Sequence, residues 1–130
     1  MKFLQWGTDG GKNSGVIGFW ICEIKTFFSI VILHFNKGTR ENYHSHAFNA
    51  YTFFIYGRIE EQLLNGNINI WKPSLYPKYT PRSTFHRVKA LENTLCISFR
   101  GSWFNYWYEY SPNNNEYILL TNNRKIITTF

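Results

Sequence analysis

Residues 37–57 read KGTRENYHSHAFNAYTFFIYG, and this run decides the fold. It sets two of the four histidines one residue apart inside a β-branched and aromatic segment, the composition of a half-buried strand. Successive side chains of an extended strand point to opposite faces. An extended 44–56 therefore puts His44 and His46 on one side with Phe48, Ala50, Thr52, Phe54 and Tyr56. Two imidazoles that look the same way can grip one ion if a third ligand comes from a neighbouring strand. His86, within the strand-like Thr84-Phe85-His86-Arg87-Val88, is the candidate. Three histidines with open coordination positions suit Zn, Fe, Ni or Mn rather than Mg or Ca.

Working outward, the flanking segments read as strands as well. Residues 1–6 are a short strand, 7–15 a loop of turn formers, and 16–25 and 27–35 two further strands. His34, at the end of the last of these, has no polar neighbour at ligand spacing and reads as a rim or hydrogen-bonded residue. After Gly57 a strand over 58–64 returns through Asn65-Gly66, a strong hairpin signal, into 68–71. Pro73, Pro77 and Pro81 predict an irregular connection into a short strand over 84–88. Residues 94–100 alternate Leu95, Ile97 and Phe99 against Cys96, Ser98 and Arg100, so one face is apolar and the other is suited to line a pocket. The tail is aromatic, and turn clusters at 112–115 and 122–123 separate two more strands. Many short strands at regular turn spacing, with no amphipathic helix and no repeat, predict an all-β sandwich or barrel.

Composition sets bounds on function. The 130 residues are one domain by length, 20% aromatic and only 17% charged, so they can bury a core without staples. The net charge of +6 is scattered rather than clustered. It favours a small anionic ligand and gives no strong nucleic-acid signal. Cys22 and Cys96 lie far apart with no C-x-x-C, as expected of buried thiols in a reducing, cytoplasmic setting. No apolar run approaches the ~18 residues of a spanning helix, so no membrane partner is expected.

The spacing resembles the cupin superfamily, whose first motif is G-x5-H-x-H-x(3,4)-E-x6-G and second G-x5-P-x-G-x2-H-x3-N. Gly38, His44, His46 and Gly57 match the first in register, and Pro81 and His86 match the second. Ala50 stands in the place of the glutamate, Leu75 and Ser83 in those of the second motif's glycines, and Ala90 in that of its asparagine. The chain is also similar, over residues 33–103, to small cupin-like proteins of bacteriophages. The stretches concerned are Leu33-His34-Phe35, His44-Ser45-His46-Ala47-Phe48, Gly57 to Glu61, His86-Arg87-Val88 and Ser98-Phe99-Arg100-Gly101 with Trp103. The resemblance implies a double-stranded β-helix, the cupin jelly-roll barrel, as a single domain over 1–130, together with a phage or prophage origin.

The expected site follows. His44, His46 and His86 are the metal ligands, holding a divalent transition metal as Lewis acid or redox centre. Thr52, Tyr56, Thr84, Ser98 and Arg100 share the interior on the parity argument, with Arg100 an anchor for a carboxylate or phosphate. Arg87 and Arg82 flank His86 as phosphate contacts or ordinary surface cations. Trp103, Tyr106 and Trp107 are stacking platforms for a base, or else core or a homodimer interface. Glu60 and Glu61 are two solvated charges beside Arg58, unless one of them replaces the missing carboxylate. The competing readings are a metal-dependent enzyme, a non-catalytic module that sequesters a nucleotide or sugar, and a structural phage protein.

Overall fold

The computed structural model describes residues 1–9, 15–38, 43–104, 106–111, 116–121 and 126–129. Among the described residues, thirteen antiparallel strands form two sheets and there is no helix. In chain order the strands are β1 (Lys2–Thr8), β2 (Val16–Ile24), β3 (Phe28–Phe35), β4 (Tyr43–His44), β5 (Ala50–Tyr56), β6 (Ile59–Leu63) and β7 (Ile68–Trp71). Then follow β8 (Lys78–Thr80), β9 (His86–Ala90), β10 (Thr94–Arg100), β11 (Tyr106–Ser111), β12 (Glu116–Thr121) and β13 (Ile126–Thr129). One sheet runs β1-β2-β3-β10-β5-β8 and the other β13-β12-β11-β4-β9-β6-β7. This is the all-β double-stranded β-helix that the motif spacing implies. No described helix is long and apolar enough to cross a membrane.

The sheets hold together through an apolar layer between their inner faces. Val16, Trp20, Val31, Leu33, Phe35, Phe54, Ile59, Ala90 and Cys96 form it, with Trp71 and Val88 packed against them. Each large side chain buried there contributes about 1.5–3 kcal/mol. The alternation of 94–100 holds: Cys96, Ser98 and Arg100 are the buried set and line a cavity, while Leu95, Ile97 and Phe99 take the opposite, outward face.

Most strands fall where residue patterning puts them, and the departures have local causes. The strand expected across 44–56 is two strands, because the chain leaves one sheet after His44 and enters the other at Ala50. Residues 45–49 make this corner, tied down by Ser45 N to Tyr108 O at 2.9 Å and by Phe104 N to Ala47 O at 2.6 Å. The proline-punctuated connection contains a strand after all. β8 fits between Pro77 and Pro81 and pairs with β5 at the sheet edge, where a missing N–H costs little. β9 starts two residues later than expected, after a turn closed by Thr84 N to Pro81 O. The Asn65-Gly66 hairpin forms with Gly66 at φ +94°. Gly57 joins β5 to β6 at φ +86°, and a Cβ there would lie 2.4 Å from Asn93 O, so only glycine fits. The glycine-rich run 10–14 and the turn clusters 112–115 and 122–123 lie outside the described residues.

Candidate metal centre

His44 and His86 face each other as direct partners across β4 and β9, which brings two distant parts of the chain together. His46 lies in the corner between sheets, and its Nε2 sits 3.1 Å from Nε2 of His86. One ligand nitrogen from each ring lies within 4.8 Å of the other two. A tetrahedral ion with Zn–N of 2.0–2.1 Å needs nitrogens about 3.3 Å apart. The His46–His86 pair is therefore at coordination spacing, and the whole cluster lies within 4.8 Å.

The third histidine is held by a carboxylate. Glu61 Oε2 lies 2.5 Å from His86 Nδ1 and 2.9 Å from Lys78 Nζ, and Trp71 Nε1 donates to Glu61 Oε1 at 3.0 Å. Glu61 is thus fully partnered at 3% exposure, and it fixes the His86 tautomer with Nδ1–H donated and the Nε2 lone pair turned to the cluster. Burial works to raise its pKa, but the hydrogen bonds from His86 and Lys78 prevail and hold it down to about 2. Desolvation, assisted by the neighbouring imidazoles, pushes the His46 pKa well below its ordinary value. Desolvation also lowers His86, against the opposing pull of Glu61. Neutral imidazoles are the metal-binding form, so the donor set fits a divalent transition ion.

The cluster opens on a cavity of about 90 Å³ between the sheets. Leu33, Phe35, Phe54, Ile59 and Val88 make its apolar wall, and Thr52, Thr80, Ser98, Lys78, Asp9 and Arg100 supply polar groups. Both cations are already engaged. Lys78 pairs with Glu61 and also donates to Thr80 Oγ1 at 2.6 Å, while Arg100 Nη2 pairs with Asp9 Oδ2 at 2.9 Å and its guanidinium lies over the Phe48 ring. Burial tends to raise the Asp9 pKa, but the Arg100 guanidinium outweighs it and the carboxyl sits below its usual value.

Of the site residues expected from sequence, the structure brings together His44, His46, His86, Thr52, Ser98 and Arg100. Tyr56 is not among them. The register slips by one residue where Tyr56 pairs with Leu95 and Phe54 with Cys96, so the alternation that holds Thr52 and Phe54 inward breaks at Ile55, and Tyr56 is exposed. Arg87 sits on the opposite side of β9 from His86, its Nε donating to Gln62 Oε1 at 2.7 Å, and it does not line the cavity. Thr84 precedes β9 and lines nothing there. Trp103 packs on Phe48 at 5.0 Å with Lys25 over its ring, next to the site rather than in it. Glu60 accepts from Gln62 on the outer side, whereas Glu61 is neither solvated nor beside Arg58, which pairs with Glu92. Of the two glutamates that the sequence offers, Glu61 is the one that meets His86, and Lys78, Thr80 and Asp9 are the site residues that sequence reasoning missed. No local signal marks Asp9.

No family model and no curated relative matches the chain. Solved structures do resemble it in fold. A cupin-like protein from Thermotoga maritima is 16% identical over 78% of this chain and 81% of that one, at a TM-score of 0.62. An RmlC-like cupin from Shewanella frigidimarina is 15% identical over 75% and 83%, at 0.60. KdgF from Halomonas sp. is 19% identical over 77% and 94%, at 0.58. These likenesses are of fold: the chain has the double-stranded β-helix of RmlC-like cupins.

Proposed function

We propose that the protein holds a divalent transition metal ion, Zn, Fe, Ni or Mn, on His44, His46 and His86, and that the adjoining cavity receives a small anionic molecule. The observation that carries this reading is the convergence of three imidazoles, one of them oriented by a buried carboxylate. When bound, such an ion supplies Lewis acidity or a redox centre.

The chain's own residues define what else enters. The apolar wall excludes water, and an anion meets Lys78 and Arg100, sharing each cation with the carboxylate it already holds. The hydroxyls of Thr52, Thr80 and Ser98 offer orienting hydrogen bonds. A cavity of about 90 Å³ is well below the ~300–1,000 Å³ of pockets for drug-sized ligands, which supports an occupant of a few heavy atoms over a nucleotide or sugar. A non-catalytic module that captures such a molecule uses the same residues. A phage-encoded origin and a host-cytoplasm location belong to the same proposal, supported by the motif resemblance and by two cysteines that form no disulfide.

Elemental analysis of protein purified without added metal is the test. Near-stoichiometric transition metal, lost in folded His44→Ala and His86→Ala variants, is the expected result. Protein that neither retains such a metal nor takes one up on dialysis defeats the reading. Ligand copurifying with metal-free protein favours the capture module instead.

A further inference from the structure

We propose that Asp9 sits in a ligand's seat: its carboxylate occupies, on Arg100, the place that the carboxylate of a small acid takes, and the two exchange. This rests on the anion half of the reading above and not on the metal, and it takes the sharing of Arg100 as far as exchange.

Arg100 is a cation fixed in advance. It is 5% exposed, its guanidinium lies 4.7 Å from the centroid of the Phe48 ring, and Nε donates to Ser98 Oγ at 3.4 Å. Its partner on β5 is Ala50, whose methyl group offers no counter-charge. A guanidinium taken out of water is strongly unfavourable unless paired, so Arg100 needs an anion whether or not a ligand is bound. Asp9 supplies one through Oδ2, 2.9 Å from Arg100 Nη2. A free carboxylate, not tethered to a backbone, can set both oxygens against the guanidinium fork, which is the stronger arrangement.

Of the cavity's two cations, Arg100 is the one whose anion is placed to leave. Glu61, the partner of Lys78, lies on β6 between β7 and β9 and takes hydrogen bonds from His86, Lys78 and Trp71. Asp9 instead follows the last residue of β1, the edge strand of its sheet, which pairs with β2 alone and has Phe3 to Trp6 exposed. The Asp9 side chain is 31% exposed against 5% for Arg100, so the aspartate is the solvent side of the pair. Edge segments with few buried contacts are the ones that open first.

Asp9 also indicates the occupant. Its side chain is a carboxylate on one CH2, the size of acetate, and it already lines the cavity of about 90 Å³. One negative charge leaves Arg100 as another arrives, so the interior stays balanced. The internal carboxylate weakens ligand binding by the fraction of time it holds the seat: a seat free about one-tenth of the time costs about tenfold in apparent affinity. Asp9 thereby selects against weakly held anions.

Calorimetric titration of the full chain with acetate tests this. Asp9→Asn should bind acetate about tenfold more tightly than the parent, and the gain should vanish in an Arg100→Gln background. Equal affinities in the parent and Asp9→Asn overturn the exchange while leaving an anion site. The same gain without Arg100 also overturns it, since Asp9 then acts only by charge at a distance. Acetate binding to none of the proteins defeats the anion reading and the exchange with it. Should either variant fail to fold, hydrogen exchange in the parent decides. The Asp9 amide donates to Val16 O at 2.9 Å, and saturating acetate should speed exchange over residues 2–9. Unchanged protection there overturns the proposal.

Discussion

Glu61 Oε2 lies 2.5 Å from His86 Nδ1, and the same oxygen takes a hydrogen bond from Lys78 Nζ at 2.9 Å. The carboxylate therefore does two things at once: it sets the imidazole tautomer and it neutralises a buried ammonium.

Separating these roles gives the first prediction. Glu61→Gln keeps the volume but weakens the hold on His86, and loss of such an outer partner typically costs 10–100-fold in metal affinity, read by chelator competition. Glu61→Ala strands Lys78 without its counter-ion and should cost about 3–5 kcal/mol in chemical denaturation. Unchanged metal affinity in the glutamine variant would show that the carboxylate serves only the lysine.

The Asp9–Arg100 pair predicts an acid limb. Asp9 has a folded pKa below its ordinary 3.8, so the pair's contribution is complete above that value and fades as pH falls through the folded value. Asp9→Asn should lower stability at neutral pH, and its gap from the parent should narrow below about 3.8. Denaturant midpoints measured from neutral to strongly acidic pH check the sign; a gap that widens on acidification contradicts the assignment.

Two glycines with similar φ should respond differently. At Gly57 an alanine Cβ meets Asn93 O and Thr94 Oγ1 at 2.4 Å, so strain adds to a clash with backbone. At Gly66 nothing lies within 4 Å. Gly66→Ala should cost about 1 kcal/mol and Gly57→Ala about 3 kcal/mol or more, compared by thermal or denaturant unfolding. Equal losses would mean that the β5–β6 junction relaxes around the methyl group.

Burial pushes the Cys96 thiol up to about 12, so almost none of it is thiolate at neutral or mildly basic pH. Iodoacetamide should leave Cys96 unmodified in the native protein and alkylate it once denaturant unfolds the chain, as peptide mass spectrometry would show. Rapid native modification would place Cys96 at a solvent-open position instead of in the core beside Phe54.

What the sequence determined by itself is the local part: strand periodicity, the Asn65-Gly66 hairpin, and the spacing of His44, His46 and His86 against Gly57. These are legible because side-chain alternation and turn conformation are set by residues adjacent in the chain. Tertiary structure alone decided three things: that Glu61 rather than Glu60 meets His86, that Arg100 is held by Asp9, and that Tyr56 is turned out by the slip at Ile55. Each depends on the register of strands far apart in sequence, where a one-residue shift exchanges inside for outside at no cost that local propensity records. The corner at 45–49 is the plainest case. His44 and Ala50 belong to different sheets, yet both line one cavity, because the chain turns between the sheets where the parity argument assumed a straight strand.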